Sequence, residues 1–80
     1  MKVQKAVALR MSELLIKHNM SQYALSQKAG LTNQAISNIM NEKYDSIKFE
    51  TVIKIADGFN MTLDEFIACE YFKRTNLDIE

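Results

Sequence analysis

Five short hydrogen-bonding side chains share one stripe of a single segment, LTNQAISNIMNEK: Asn33, Gln34, Ser37, Asn38 and Asn41. Four are amides, one is a hydroxyl, and none is charged. An amide carries a donor and an acceptor side by side, so Asn or Gln can bond bidentately to the N6 and N7 edge of adenine, while Ser and Thr adapt to several base edges. Short side chains also let a backbone approach the major groove closely. The opposite stripe, Ala35, Ile36, Ile39 and Met40, recurs at helical spacing and marks a core-facing helix. A surface helix without a special task ordinarily carries Glu, Lys and Arg, and Asn is a poor helix former. The stripe therefore reads either as a base-reading face or as an idle solvated one.

No other constellation suggests bond-making chemistry. His18 falls at the end of the first helix, where its cation suits the helix dipole. The single cysteine, Cys69, has no histidine near it in sequence and is expected to act as a small apolar group. Asp64 and Glu65 favour a helix N-terminus, and Lys73 and Arg74 suit a solvated surface. No enzyme, cofactor or metal site is expected.

The remaining elements must position that stripe. Eighty residues make one expected domain, with a tail over about residues 73–80. A chain of this size buries only roughly 60% of its unfolded surface. At 48% hydrophobic and 25% charged it is globular, and the absence of proline with only two glycines favours an all-helical chain. No apolar run approaches the ~18 residues of a membrane span, so no membrane partner is expected. The N-terminal MKVQKAVALRMSE lacks the apolar stretch of a secretory signal, and one cysteine permits no disulfide framework, which makes a reducing cytoplasm the expected compartment. Net charge is zero but unevenly distributed. Residues 1–48 hold seven Lys/Arg against three Asp/Glu, and residues 49–80 hold the reverse. A phosphate backbone responds to the local field, so the first part could still dock on it.

Periodicity predicts five helices. The first runs from about Val3 to His18 with Val7, Met11, Leu14 and Leu15 inward, and Asn19 ends it. Ser21 caps a second, which contributes Leu25 and Ala29 to the core and stops at Gly30, where a positive φ is easiest. Thr32 caps the third. A fourth, about Phe49 to Phe59, places Phe49, Val52, Ile53 and Ala56 at i, i+3, i+4 and i+7, and Asn60 ends it. Thr62 and Glu65 form a capping box for a fifth helix, LDEFIACEYF, before a tail that is expected to be extended or frayed. Helix five offers two apolar directions. Leu63, Phe66 and Ile67 point one way, Cys69 and Phe72 another, and a monomer rarely leaves a large apolar patch bare. Phe66, Ile67, Cys69, Tyr71 and Phe72 are therefore candidates for a homodimer contact, unless the tail folds back over them.

Two short helices joined by AGLT, the second with a polar outer face, describe a helix-turn-helix. The stretch MSQYALSQKAGLTNQAISNIMNEK resembles the helix-turn-helix of the lambda repressor/Cro-like family, also called XRE-type, and FETVIKIADGFNMTLDEF resembles that family's fourth and fifth helices. The resemblance covers about Val7 to Ile67. It implies an all-α, five-helix DNA-binding domain with double-stranded DNA as partner. Gln22 matches a phosphate-contacting position. Thr32, Asn33, Gln34 and Asn38 match base-reading or adjacent positions, with Ser37 on the same stripe. Asn41 and Lys43 match a loop that approaches phosphates. Thr32 also suits a plain cap, Asn41 a helix end and Lys43 a solvated surface. Three departures stand out: Glu42 where many members have glycine, Lys48 where a serine often caps helix four, and Leu15 with Met40 where many pair Arg with Glu.

The resemblance implies a sequence-specific transcriptional regulator, with repression from a palindromic operator as a homodimer the simplest mechanism. A restriction–modification controller protein is a compact domain of the same kind. An antitoxin, which would neutralise a partner toxin protein, is the alternative from another class. The exchanged pair at Leu15 and Met40 yields a test. Apolar residues replacing a buried ion pair are often neutral or stabilising, whereas one unpaired buried charge is strongly destabilising. Leu15→Arg is expected to lower the thermal midpoint, and adding Met40→Glu to recover part of the loss. A double variant no better than Leu15→Arg alone would show the two positions uncoupled.

Overall fold

The computed structural model describes residues 1–79, and among them the secondary structure is entirely helical. Helix α1 spans Val3–Lys17, α2 Gln22–Ala29, α3 Asn33–Met40, α4 Phe49–Gly58 and α5 Leu63–Ile67, followed by 3₁₀ turns at Glu70–Phe72 and Arg74–Asn76. The five expected helices are present, and three N-caps act as anticipated. Ser21 Oγ accepts from Ala24 N–H and Thr32 Oγ1 from Ala35 N–H. Thr62 and Glu65 form the capping box, with Glu65 Oε1 accepting from Thr62 N–H at 2.9 Å. That bond, then the Thr62 hydroxyl, holds the Glu65 carboxyl below its ordinary range. Its stabilisation is present above the usual carboxyl pKa and is lost as the pH falls through the lowered value. Lys48 offers α4 no side-chain cap.

Four helices end alike. Asn19, Gly30, Glu42 and Asn60 adopt left-handed backbone with φ of 50°, 70°, 54° and 58°. The next N–H in each case reaches back five residues: Met20 to the Leu15 carbonyl, Leu31 to Ser26, Lys43 to Asn38 and Met61 to Ala56. This is the Schellman arrangement, usually completed by an apolar contact from the residue after the left-handed one. Met20, Leu31 and Met61 supply that contact against the core. Lys43, exposed at the end of α3, does not.

Val7, Met11, Leu14, Leu15, Leu25, Ile36, Ile39, Ile55, Phe59 and Phe66 build the centre of the core, with α1 against α3, α2 against α3 and α4, and α4 against α5. Met40 packs half-buried against the same cluster as Leu15. The buried face of α4 differs from expectation. Val52, Ile55, Ala56 and Phe59 point inward, while Phe49 is 68% exposed and Ile53 37%. Both quartets have the i, i+3, i+4, i+7 spacing, so periodicity fits either.

Helix α5 is also shorter than expected, and Arg10 of α1 caps its end. A continuing helix would bond Cys69 N–H to the Glu65 carbonyl and Glu70 N–H to the Phe66 carbonyl. Arg10 takes both acceptors, donating from Nε to Phe66 O at 2.7 Å and from a terminal nitrogen to Glu65 O at 3.1 Å. Ala68 then forms an inverse γ-turn (φ −79°, ψ 67°), with Cys69 N–H on Ile67 O at 2.8 Å. The turn at Glu70–Phe72 returns the chain to α1 and lays the Phe72 ring 6.1 Å from that of Phe66. The tail is tied rather than frayed. Asn76 donates to Glu70 O at 2.7 Å, and Asp78 N–H to Met1 O at 2.7 Å.

Gly58 lets α2 approach α4. A Cβ built there would lie 2.7 Å from Leu25 Cδ1 and 3.1 Å from Ala29 Cβ, whereas a Cβ on Gly30 would meet nothing within 4 Å. Gly58→Ala is therefore expected to destabilise by about 1–3 kcal/mol through overpacking. Gly30→Ala should lose about 1–2 kcal/mol through its left-handed backbone alone. Urea unfolding measures both, and a Gly58→Ala variant as stable as the parent would mean that α2 does not press on α4.

Candidate nucleic-acid interface

Gly30, Leu31 and Thr32 are the only residues between α2 and α3, so the turn leaves the first residues of α3 at the surface. Asn33 and Gln34 are both exposed there. Thr32 is exposed too, with its hydroxyl used as the cap. Ser37 and Asn38 follow half-buried on the next turn. Asn41 stands in the C-cap position, and its Nδ2 lies 3.4 Å from Ser37 Oγ. Gln22 opens α2 exposed, and Lys43 is exposed just beyond α3. All eight candidates thus retain some accessible surface.

The side chains on α3 are not independent. Gln34 Nε2 donates to Asn38 Oδ1 at 2.9 Å, and Asn38 Nδ2 donates to the Tyr44 hydroxyl at 3.1 Å. Sequence reasoning missed Tyr44. The available signal was an aromatic hydroxyl in the otherwise polar loop after the helix. Tyr23, next to Gln22 in sequence, is 63% exposed. The α3–α4 loop is fastened to α1, because Gln4 Nε2 donates to Asp45 O at 2.8 Å.

The expected homodimer candidates fare differently. Phe66 is completely buried and cannot face a partner. It lies between the rings of Phe59 at 6.5 Å and Phe72 at 6.1 Å, with the Arg10 guanidinium 5.9 Å from its centroid. Phe72 is half-buried on it, so the tail covers part of the second apolar direction of helix five. Cys69 and Tyr71 are half-buried, and Tyr71 donates to Glu13 Oε2 at 3.4 Å. The Glu13 charge pushes the Tyr71 phenol above its ordinary pKa. Ile67, 39% exposed, keeps the most open apolar surface of the five.

No group of acidic, histidine or cysteine side chains among the described residues could hold a metal ion. No helix among them is long and apolar enough to cross a membrane. A family model described as helix-turn-helix matches residues 11–66, which takes in α2, α3, α4, the second part of α1 and most of α5. No curated protein and no solved structure matches the chain.

Glu42, where the resemblance expects glycine, has the left-handed φ of 54° that explains the preference. Glu42→Gly relieves about 1–2 kcal/mol of backbone strain and returns part of it as added freedom of the unfolded chain. A net gain of about 0.5–1 kcal/mol in urea unfolding is expected. An unchanged midpoint would mean that the Glu42 side chain contributes an offsetting interaction.

Proposed function

We propose, since this chain belongs to the lambda repressor/Cro-like (XRE-type) helix-turn-helix family of DNA-binding transcription regulators, that it represses transcription as a homodimer seated on a palindromic operator. The observation that carries this reading is the solvent face of α3, where Asn33, Gln34, Ser37 and Asn38 stay accessible directly after a three-residue turn. A helix presented this way enters the major groove with its N-terminal residues on base edges. Asn33 and Gln34 carry the sequence readout. Gln22 and Lys43 set the register on the phosphates, because they flank that face from the start of α2 and from the loop after α3. Blocking a promoter needs only occupancy, and two-fold symmetry in the operator mirrors that of a homodimer. The open surface of Ile67 beside half-buried Cys69 supports the end of α5 as the contact between copies.

Selection of bound sites from random duplex DNA tests the reading as a whole. An inverted repeat is the expected result, and a single unrepeated site would rule out the symmetric homodimer. On the selected operator, Gln34→Ala is expected to lower affinity about ten- to hundredfold while barely altering weak binding to random DNA. Lys43→Ala should weaken both and reduce the salt slope by about one phosphate contact. If Gln34→Ala and Asn33→Ala both bind the operator as the parent does, α3 does not read DNA.

A further inference from the structure

Two amides on the solvent face of α3 are joined by side-chain hydrogen bonds to a residue outside the helix. We propose that Tyr44 is a positioning residue for base readout: its hydroxyl holds the Asn38 amide, and through it the Gln34 amide, in place on the solvent face of α3. The proposal rests on the DNA-reading role of α3 given above.

An amide nitrogen has two protons to donate, and its carbonyl oxygen has two lone pairs. Gln34 uses one N–H on Asn38 Oδ1 at 2.9 Å, which leaves Oε1 and the second N–H free. That adjacent acceptor and donor is the set that meets the N6 and N7 edge of adenine. Asn38 is held from its other side as well. Its Nδ2 is turned away from Gln34 and donates to the Tyr44 hydroxyl at 3.1 Å. Bonded in this sense, the phenol keeps its own proton for water or for a phosphate oxygen.

Tyr44 is well placed to hold this bond because the chain is tied on both sides of it. Lys43 N–H donates to Asn38 O at 2.9 Å, closing the end of α3. Gln4 Nε2 donates to Asp45 O at 2.8 Å, fastening the loop to α1. Tyr44, 41% exposed, borders a recess lined by Gln4, Ile39, Glu42 and Ile47. The anchored backbone on either side keeps the hydroxyl near Asn38 before DNA arrives, which leaves less ordering for binding.

Tyr44→Phe removes the hydroxyl and keeps the ring. The bond it deletes is at the surface, so the thermal midpoint should stay within about 3 °C of the parent. In the free variant, the side-chain NH2 resonances of Asn38 and Gln34 are expected to shift and to exchange faster with water. On the selected operator, the preference for the base read by Gln34 over the other three should fall about three- to tenfold, the worth of one hydrogen bond. Affinity for random duplex DNA should not change. In the Gln34→Ala background, Tyr44→Phe should leave the preference at that base unchanged, because there is no amide to orient. Unmoved Asn38 resonances would overturn the proposal by showing no ladder in solution. Shifted resonances with an unchanged base preference would overturn it by reducing the hydroxyl to a structural contact. A parent chain with no base preference at all would overturn the DNA-reading role and this proposal together, and the NMR spectra would then show separately whether the ladder exists.

Discussion

The contact between α2 and α4 at Gly58 governs where the candidate reading surface lies. Leu25 and Ala29 press on a backbone that has no room for a methyl group. Ala29 is the last residue of α2, and Gly30 turns the chain immediately after it. The position of α2 on α4 therefore helps to set where α3 starts, because only three residues of turn lie between them. Glycine inside a helix ordinarily costs about 1 kcal/mol relative to alanine. Here that loss is offset by close packing of two helices and by a defined exit direction for the third.

The repeated helix ends show how the rest of the chain is kept short. Each left-handed residue reverses the chain within a few residues, and Met20, Leu31 and Met61 then drop back onto the core. The end of α3 keeps the backbone bonds and omits the apolar anchor. Lys43 leaves for solvent, and the loop is secured instead by polar bonds, from Gln4 to Asp45 and through Tyr44 to Asn38. An apolar anchor at that point would carry the loop toward the core. The polar substitutes keep a cation and a phenol beside the amides of α3.

At the other end of the molecule Arg10 does the work of a cap. It satisfies the final carbonyls of α5, pairs with Glu13 at 2.6 Å and covers the face of Phe66. A guanidinium suits this place because its planar fork of donors serves two carbonyls and a carboxylate at once. The rings of His18, Phe59, Phe66 and Phe72 succeed one another at centroid distances of 6.0, 6.5 and 6.1 Å. The row ties the tail to the core and removes Phe66 from any surface that a second copy could meet.

Local chemistry was legible in the sequence. Ser21, Thr32 and the Thr62–Glu65 box cap helices, and Asn19, Gly30 and Asn60 end them, because each acts on backbone within four or five residues of itself. The amide stripe of α3 was legible for the same reason: its opposite face is unambiguously apolar, so the helix has one way to sit. Only the tertiary structure decided the rest. Helix α4 carries two overlapping stripes of equal spacing, and contact with α2 selects Val52, Ile55, Ala56 and Phe59 over Phe49 and Ile53. The last carbonyls of α5 are capped by Arg10, more than fifty residues away. The ladder from Gln34 to Tyr44 needs the path of a loop that is fixed from α1 by Gln4. Propensity and periodicity describe a residue against its near neighbours. Which of two similar faces is buried, and which donor claims a given carbonyl, is settled between segments that meet only when the chain is folded.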